Sequence, residues 1–316
     1  MKKVFSALMA AVLAVGLMAG CSQNSSSSSS GSGSSSANGS SSSSTTSSSA
    51  GSDFDASNEI TVISREASSG TRSAFDELMN IVVEQDDGST VDNLFAEAVL
   101  VNSTDEVSSK VEVDEFAIGY TSLGSVTDAV KAVSVDGVEA TIDNVKSGDY
   151  KISRPFMLAT NDQATDLAKD FLAYVTSQQG QAVVTEEGYI TAVDDAAEYT
   201  ASGLSGKLTL SGSTSVEGVI EKLKEEYIAL NPDVTIEITY SGSGAGIKDV
   251  TEGKVDIGMS SRALSEDEQA TLTGTQFASD GIAVIVNVAN PVDELTSEQI
   301  TAIFTGESRN WSDIIG

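Results

Sequence analysis

The sequence contains no histidine and one cysteine, Cys21, and it carries 17 basic residues against 47 acidic ones, a formal net charge of −30. Without histidine or a second thiol, the Ser-His and Cys-His forms of nucleophilic catalysis are excluded. A single cysteine also excludes a disulfide within the chain. The acidic balance argues against nucleic acid as a partner, because binding a phosphate backbone needs clustered lysine and arginine. The many acids leave open a metal site made of carboxylates alone, but no group of them has a spacing typical of one.

The first 21 residues have the composition of a targeting signal. Lys2 and Lys3 precede an apolar stretch, residues 4–18, that is too short to span a bilayer comfortably. The signal ends in Leu-Met-Ala-Gly-Cys, which resembles the lipobox of bacterial lipoproteins, where the cysteine is lipid-modified and becomes the new N-terminus. We therefore expect residues 1–21 to be a lipoprotein signal peptide and Cys21 to be the lipidation site. The alternative is an ordinary secretory signal that ends near an incidental cysteine.

Residues 22–58 are almost wholly Ser, Gly, Ala, Asn and Thr. This composition cannot bury apolar surface, so we expect a disordered, Ser-rich tether. The remaining residues, 59–316, are enough for two domains of ordinary size. Apolar runs and helical stretches alternate along them, which indicates an α/β class. Residues 265–268 and 296–299 fit capping boxes that open helices.

Three junctions share one pattern, in which an apolar run ends in Ser, Gly and Thr and apolar residues then resume at helical spacing. They lie at residues 60–71, 208–215 and 234–246, and the first contains Arg65. Free N–H groups and hydroxyls lie there at a helix N-terminus, where the helix dipole favours negative charge. One such junction is ordinary helix capping. Three of them, one with an arginine, together indicate a cage for a small oxyanion that acts through local hydrogen bonds, because the net charge does not attract anions.

Several motifs resemble those of the phosphate-binding proteins of Pst ABC transporters. Segments similar to the front half of that family are LSGSTSV at 210–216, YSGSGAG at 240–246, VDIGMSSR at 255–262, DGIAVIVN at 280–287 and NWSD at 310–313. Segments similar to its back half are ITVISREASSGTRSAF at 60–75, AIGY at 117–120, RPF at 154–156 and the stretch from 180–181 to 188–190. The resemblance implies an α/β, two-lobed periplasmic-binding-protein-like fold of type II, in which a hinge closes the lobes over a ligand in the cleft between them.

The two halves stand in swapped order. In the family the NWSD segment runs within a few residues into the Arg-Glu segment, whereas here it lies at 310–313 and the Arg-Glu segment follows the tether. We interpret the order as a circular permutation; a truncated product of a tandem duplication would give the same order. The lobes are then 156–280, and 59–155 together with 281–316, with the polar segment 191–206 as the permutation linker. A permutation requires residues 58 and 316 to lie close together, and segments 60–63 and 281–286 to share one sheet.

Matching the family's motifs residue by residue carries its phosphate contacts onto eight positions, with three second-rank candidates. The eight are Thr214, Ser215, Ser243, Ser261, Arg65, Ser69, Gly70 and Thr71, and the second rank is Arg262, Arg72 and Gly244. The residue types favour the same set, because arginine presents a planar fork to two oxygens, hydroxyls donate hydrogen bonds, and glycine lets the backbone approach closely. The alternatives are that Arg65 only pairs with Glu66 or a surface acid, and that the serines are only helix caps.

Ser261 is the one departure from part of the family. Some members place an aspartate there, which accepts a proton from the ligand and excludes sulfate, so selectivity for phosphate stays open. The Ser-Ser-Arg form at 260–262 resembles Gram-positive members.

The resemblance implies a monomeric, lipid-anchored protein at the extracytoplasmic face of a bacterial membrane. It would capture inorganic phosphate and deliver it to a Pst-type ABC permease and its ATPase. No catalytic residue, metal or cofactor is expected. The alternatives are a binder of another oxyanion, a phosphate sensor that does not transport, and a surface phosphohydrolase that uses the same cradle.

Overall fold

Strands and helices alternate along the computed structural model, which describes residues 54–85 and 89–315. The predicted signal peptide, Cys21 and nearly all of the predicted tether therefore lie outside the described residues. The strands are β1 Thr61–Arg65, β2 Val82–Glu84, β3 Thr90–Asp92, β4 Val99–Val101, β5 Ala117–Ser122, β6 Val130–Ala132, β7 Ser134–Val135, β8 Ser153–Thr160, β9 Ile190–Thr191, β10 Gly206–Gly212, β11 Val234–Tyr240, β12 Ile257–Ser260, β13 Thr273–Asn287 and β14 Glu294–Leu295.

Most helices of the described residues begin after a serine or threonine whose side chain caps them. The helices are α1 Gly70–Leu78, α2 Thr104–Val113, α3 Ile142–Ser147, α4 Asp166–Val175, α5 Gln178–Glu186, α6 Glu217–Leu230, α7 Ser243–Thr251, α8 Glu266–Gln269, α9 Ser297–Phe304 and α10 Ser312–Ile315, with 3₁₀ turns at Leu123–Ser125 and Thr214–Val216. Both predicted capping boxes are confirmed, Ser265 with Glu268 and Thr296 with Gln299. In the part of the chain that the structure covers, no helix is long and apolar enough to cross a bilayer.

Ten of the strands form one mixed sheet. Its order is β11-β10-β12-β8-β13-β5-β1-β4, and β6 and β9 also pair with β13. The long strand β13 pairs antiparallel with β8 over its first nine residues, Thr273 to Gly281, and with β5 and β6 from Ile282 onward. Segments 60–63 and 281–286 thus share one sheet, as expected. The sheet with helices around it confirms the α/β class.

The buried apolar side chains separate into two main cores along this sheet. Core A contains side chains between Phe156 and Ala278, from α4, α5, α6 and the strands beside them. Core B contains side chains between Ile60 and Ile152 and between Ile282 and Trp311. The main chain passes between the two cores along β8 and along β13. Each core therefore has its own apolar interior, and two antiparallel strands connect them.

The first described residues pack against the C-terminal segment. Ser312 N donates to Ala56 O at 2.7 Å, Trp311 N donates to Asn58 O at 3.3 Å, and the rings of Phe54 and Trp311 meet edge to face, 6.2 Å apart. The expected closeness concerned residues 58 and 316, and residue 316 lies outside the described residues; residue 58 lies next to Trp311. The predicted tether needs a correction at its end, because residues 54–58 belong to the folded body, where Phe54 adds apolar contact to core B.

The predicted linker segment follows the surface between β9 and β10. Residues 192–205, all described, contain no helix or strand. Tyr199 attaches the segment to core A, since its hydroxyl donates to Asp170 Oδ2 at 2.7 Å and its ring meets that of Tyr174 edge to face.

Candidate oxyanion-binding site

Four strand-to-helix junctions meet beside the crossing between the two cores. On the core B side, β1 ends at Arg65 before α1, and β4 ends at Val101 before α2. On the core A side, β10 leads through Thr214–Val216 into α6, and β11 leads into α7, whose first residue is Ser243. Polar residues follow each strand end. Ser69 and Ser103 cap α1 and α2, whereas α7 begins after Gly242 without a side-chain cap. The N-termini of α1, α2, α6 and α7 thus lie at one region, where the helix dipoles favour negative charge.

Hydroxyls from the two sides touch one another there. Thr71 Oγ1 lies 2.8 Å from Ser215 Oγ. Thr104 Oγ1 lies 3.1 Å from both Thr214 Oγ1 and Ser215 Oγ, and its N–H donates to Thr214 Oγ1 at 3.3 Å. All four residues are buried. We call Thr71, Thr104, Thr214 and Ser215 the hydroxyl cluster.

The serines predicted on the core A side lie next to this cluster. Ser243 Oγ accepts from Ser261 N at 3.0 Å and lies 3.3 Å from Ser261 Oγ, and both residues are buried. Gly244 N donates to Ser68 O at 2.9 Å, which joins the start of α7 to the turn before α1. Ser69 is the N-cap of α1 and accepts from Arg72 N at 3.3 Å. Ser69 therefore caps a helix, which is one of the two roles that the sequence left open for the serines.

Gly70 is packed so tightly that no side chain fits. A Cβ there would lie 2.4 Å from Ser243 Oγ and 2.9 Å from Ser261 Oγ, distances that real Cβ contacts essentially never show. The absence of a side chain lets the first turn of α1 approach the serines of the opposite side.

Arg65 lies beside the hydroxyl cluster and is almost fully buried, with 2% of its surface exposed. Its Nε and Nη2 donate to the two carboxylate oxygens of Glu66 at 2.9 and 3.0 Å. Nη2 also donates to Asn102 O at 3.2 Å, and Nη1 reaches Thr104 Oγ1 at 3.4 Å. The pairing with Glu66 that the sequence left open is thus present, and one edge of the guanidinium still faces the cluster.

Arg72 and Arg262, two of the second-rank candidates, have other partners. Arg72 Nε donates to Asp76 Oδ2 at 3.0 Å, Nη1 donates to Arg65 O at 3.1 Å, and Nη2 pairs with Asp92. Arg262 forms a two-pronged pair with Glu268, with both distances 2.7 Å. Arg72 therefore holds the main-chain carbonyl of Arg65, and Arg262 is held by Glu268 of α8.

Thr104 is the contact that sequence reasoning missed. The signal was present as a fourth junction, VNST at 101–104, where a short apolar run gives way to a polar capped helix. The run is only three residues long, so it lacked the extended apolar pattern that marked the other three.

A buried ion pair lies where β8 and β13 cross from one core to the other. Arg154 and Asp280 are direct neighbours across these strands, and Arg154 Nη2 donates to Asp280 Oδ2 at 3.0 Å. Their side chains are 1% and 2% exposed. Burial raises the pKa of Asp280, and burial lowers the pKa of Arg154. The guanidinium also lies over the ring of Phe156, 5.3 Å from its centre.

The chemistry of the site is that of hydrogen-bond donation rather than bond cleavage. Hydroxyls, main-chain N–H groups and one guanidinium converge, and these groups bind oxyanions. Among residues 54–85 and 89–315, no three His, Cys, Asp or Glu side chains are grouped to hold a metal ion.

Comparison with known proteins places this architecture in a family. The profile of the PBP superfamily domain matches residues 26–179 and 183–316. The chain is 41% identical over 305 residues to the phosphate-binding protein PstS 2 of Streptococcus agalactiae, covering 96% of this chain and 94% of the relative. It is 45% identical over 265 residues to PstS 2 of Streptococcus pneumoniae, covering 84% and 91%.

A solved structure agrees with the sequence comparison. The crystal structure of a phosphate-binding protein of a phosphate ABC transporter from Streptococcus pneumoniae superposes with a TM-score of 0.66 at 45% identity, and it covers 81% of this chain and 100% of the other. The two-lobed, periplasmic-binding-protein-like fold is thereby confirmed. The chain belongs to the PBP superfamily and, within it, to the same family as the streptococcal phosphate-binding proteins PstS 2.

Proposed function

We propose that the protein binds inorganic phosphate between its two lobes and delivers it to an ABC permease. The observation that carries the proposal is the convergence of Arg65, the hydroxyl cluster, Ser243 and Ser261 at one point between core A and core B. Its relatives of 41–45% identity are named phosphate-binding proteins, and a relative of known structure is named as part of a phosphate ABC transporter. These names describe binding proteins, which supports capture without catalysis.

The binding residues we propose are Thr214, Ser215, Ser243, Ser261, Arg65, Ser69, Gly70 and Thr71. Arg65 would supply the only full positive charge of this set, and the hydroxyls and main-chain N–H groups would supply the remaining donors. Hydroxyls that now bond to one another can turn their hydrogens toward an anion, and charge-assisted bonds are about twice as strong as neutral ones. A buried set of donors suits a protein with a net charge of −30, because its long-range field does not attract the ligand.

The lobes we propose are 156–280, and 59–155 together with 281–316. Core A lies wholly within the first range and core B draws its buried side chains from the second, which supports this division. Strands β8 and β13 form the connection, so opening would bend the sheet near Arg154 and Asp280. We further propose that the order of the lobes is a circular permutation with 192–205 within the linker. The meeting of residues 56–58 with 311–312 supports it, and the streptococcal relative shares the same order over 305 residues.

Cys21 would anchor the protein by a lipid to the outer face of the membrane of a Gram-positive bacterium, as a monomer. The support is the sequence Leu-Met-Ala-Gly-Cys after an apolar stretch. Cell fractionation tests it: Cys21→Ala should move the protein from the membrane fraction to the medium. A variant that stays with the membrane contradicts the anchor.

Calorimetric titration of the purified protein with phosphate, arsenate and sulfate tests the binding function. We expect saturable phosphate binding at one site, and the sulfate and arsenate titrations decide the selectivity that Ser261 leaves open. Equal binding of sulfate would favour a general oxyanion binder. Release of phosphate from an ester such as p-nitrophenyl phosphate would favour a hydrolase, and binding without phosphate uptake by cells would favour a sensor.

A further inference from the structure

We infer that Thr104 is a further anion-binding residue, so that a fourth helix N-terminus takes part in the site; the inference rests on the proposed phosphate binding. Thr104 is the first residue of α2 and is 3% exposed. No motif of the sequence assigns it a role.

Its contacts place it among the proposed ligands rather than beside them. Thr104 Oγ1 lies 3.1 Å from Thr214 Oγ1, 3.1 Å from Ser215 Oγ and 3.4 Å from Arg65 Nη1. These three groups come from both sides of the cleft. An anion bound between these three groups would lie beside Thr104 Oγ1.

The backbone of Thr104 offers a second donor. Its N–H is at the start of α2, where it has no partner within the helix, and it donates to Thr214 Oγ1 at 3.3 Å. Such a bond to a neutral hydroxyl is weaker than a bond to an anionic oxygen. The residue can thus present one main-chain and one side-chain donor to the ligand, as a helix N-terminus commonly does for anions.

The helix of Thr104 is held independently of the ligand. Ser103 Oγ caps it by accepting from Glu106 N at 3.2 Å, and the buried side chains of Val107 and Val111 pack below the sheet. The position of the Thr104 donors is thereby fixed before the anion arrives, which is the arrangement expected of a binding residue.

The test compares Thr104→Val, which removes only the hydroxyl, with Thr104→Ser, which keeps it. Phosphate titration should give a Kd about three to ten times weaker for the valine variant, the range expected for one lost hydrogen bond, and an almost unchanged Kd for the serine variant. Thr165→Val is the matched control: it removes the hydroxyl that caps α4, away from the site, so it should lower the melting temperature and leave the Kd within twofold.

The outcomes separate this inference from the proposed function. If the unmodified protein does not bind phosphate, the proposed function fails and the inference fails with it. If it binds phosphate and Thr104→Val binds equally well, only the inference is overturned. A weaker Kd for Thr104→Val together with a more open phosphate-free protein in small-angle X-ray scattering would make Thr104 a contact between lobes, and would overturn its assignment as a ligand.

Discussion

Removing the guanidinium of Arg65 should weaken phosphate binding more than any other single change at the site. Arg65→Met keeps the apolar stem and removes the charge and the donors that face Glu66, Asn102 and Thr104. A hydrogen bond to a charged group contributes about 1.5–3 kcal/mol, and 1.4 kcal/mol is a factor of ten in Kd. We therefore expect a Kd about ten to a hundred and fifty times weaker.

Part of that loss comes from Glu66 rather than from Arg65. Once the arginine is gone, the carboxylate stands unpaired beside the site and repels the anion. The double variant Arg65→Met with Glu66→Gln removes this repulsion, so it should regain part of the affinity and leave the loss due to the missing donor.

Isothermal titration calorimetry measures both effects, and thermal unfolding without phosphate shows whether each variant is folded. Arg309→Met is the matched control, since it removes an arginine that pairs with Glu97 and has no proposed role in the site. The control should keep its Kd within twofold. A folded Arg65→Met protein with an unchanged phosphate isotherm would refute the placement of the anion beside Arg65.

Three further changes probe packing and charge. Gly70→Ala should weaken phosphate binding about tenfold, because its Cβ would lie 2.4 Å from Ser243 Oγ and overpacking costs about 1–3 kcal/mol; an unchanged Kd by titration would contradict the close approach. Asp280→Asn should lower the free energy of unfolding in urea by about 3–5 kcal/mol, since it leaves Arg154 charged and buried, and a loss under 1 kcal/mol would count against the pair. Burial raises the pKa of Asp76 to about 6, above its unfolded value, so its contribution to stability is present at low pH and is lost as the pH rises through 6. Relative to Asp76→Asn, the unmodified protein should therefore lose about 2 kcal/mol between pH 4 and pH 7, and parallel urea midpoints for the two proteins would refute this.

Most of the local structure of the site follows from rules that act within a few residues. The apolar runs before residues 65, 212 and 240 end in Ser, Gly and Thr, and the strands end there. The residues after them begin helical turns, because the apolar spacing changes from two to about 3.6, and Ser69 and Ser213 cap the first two of these turns. Only the resemblance to the family indicated which of these junctions meet in the folded protein.

The features that could not be predicted from the sequence depend on contacts between residues that are far apart in the chain. The pairing of Arg154 with Asp280 joins positions 126 apart and depends on the register of β8 against β13, which no local pattern specifies. Thr104 was missed because β4 has only three residues. The folded body begins before residue 59, at Phe54, because the ring of Phe54 packs against Trp311 although its sequence neighbours are polar. The composition of those neighbours does not reveal this contact.

Strand β13 has a consequence for the energetics of unfolding. Its first nine residues complete the sheet of core A and its last six complete that of core B. If either core unfolds, the strand loses half of its partners and the other core loses a central strand. The two lobes should therefore melt together in a single calorimetric transition. Amide hydrogen exchange should be slow without interruption from Phe277 to Val286, although the proposed opening of the lobes would bend the same strand.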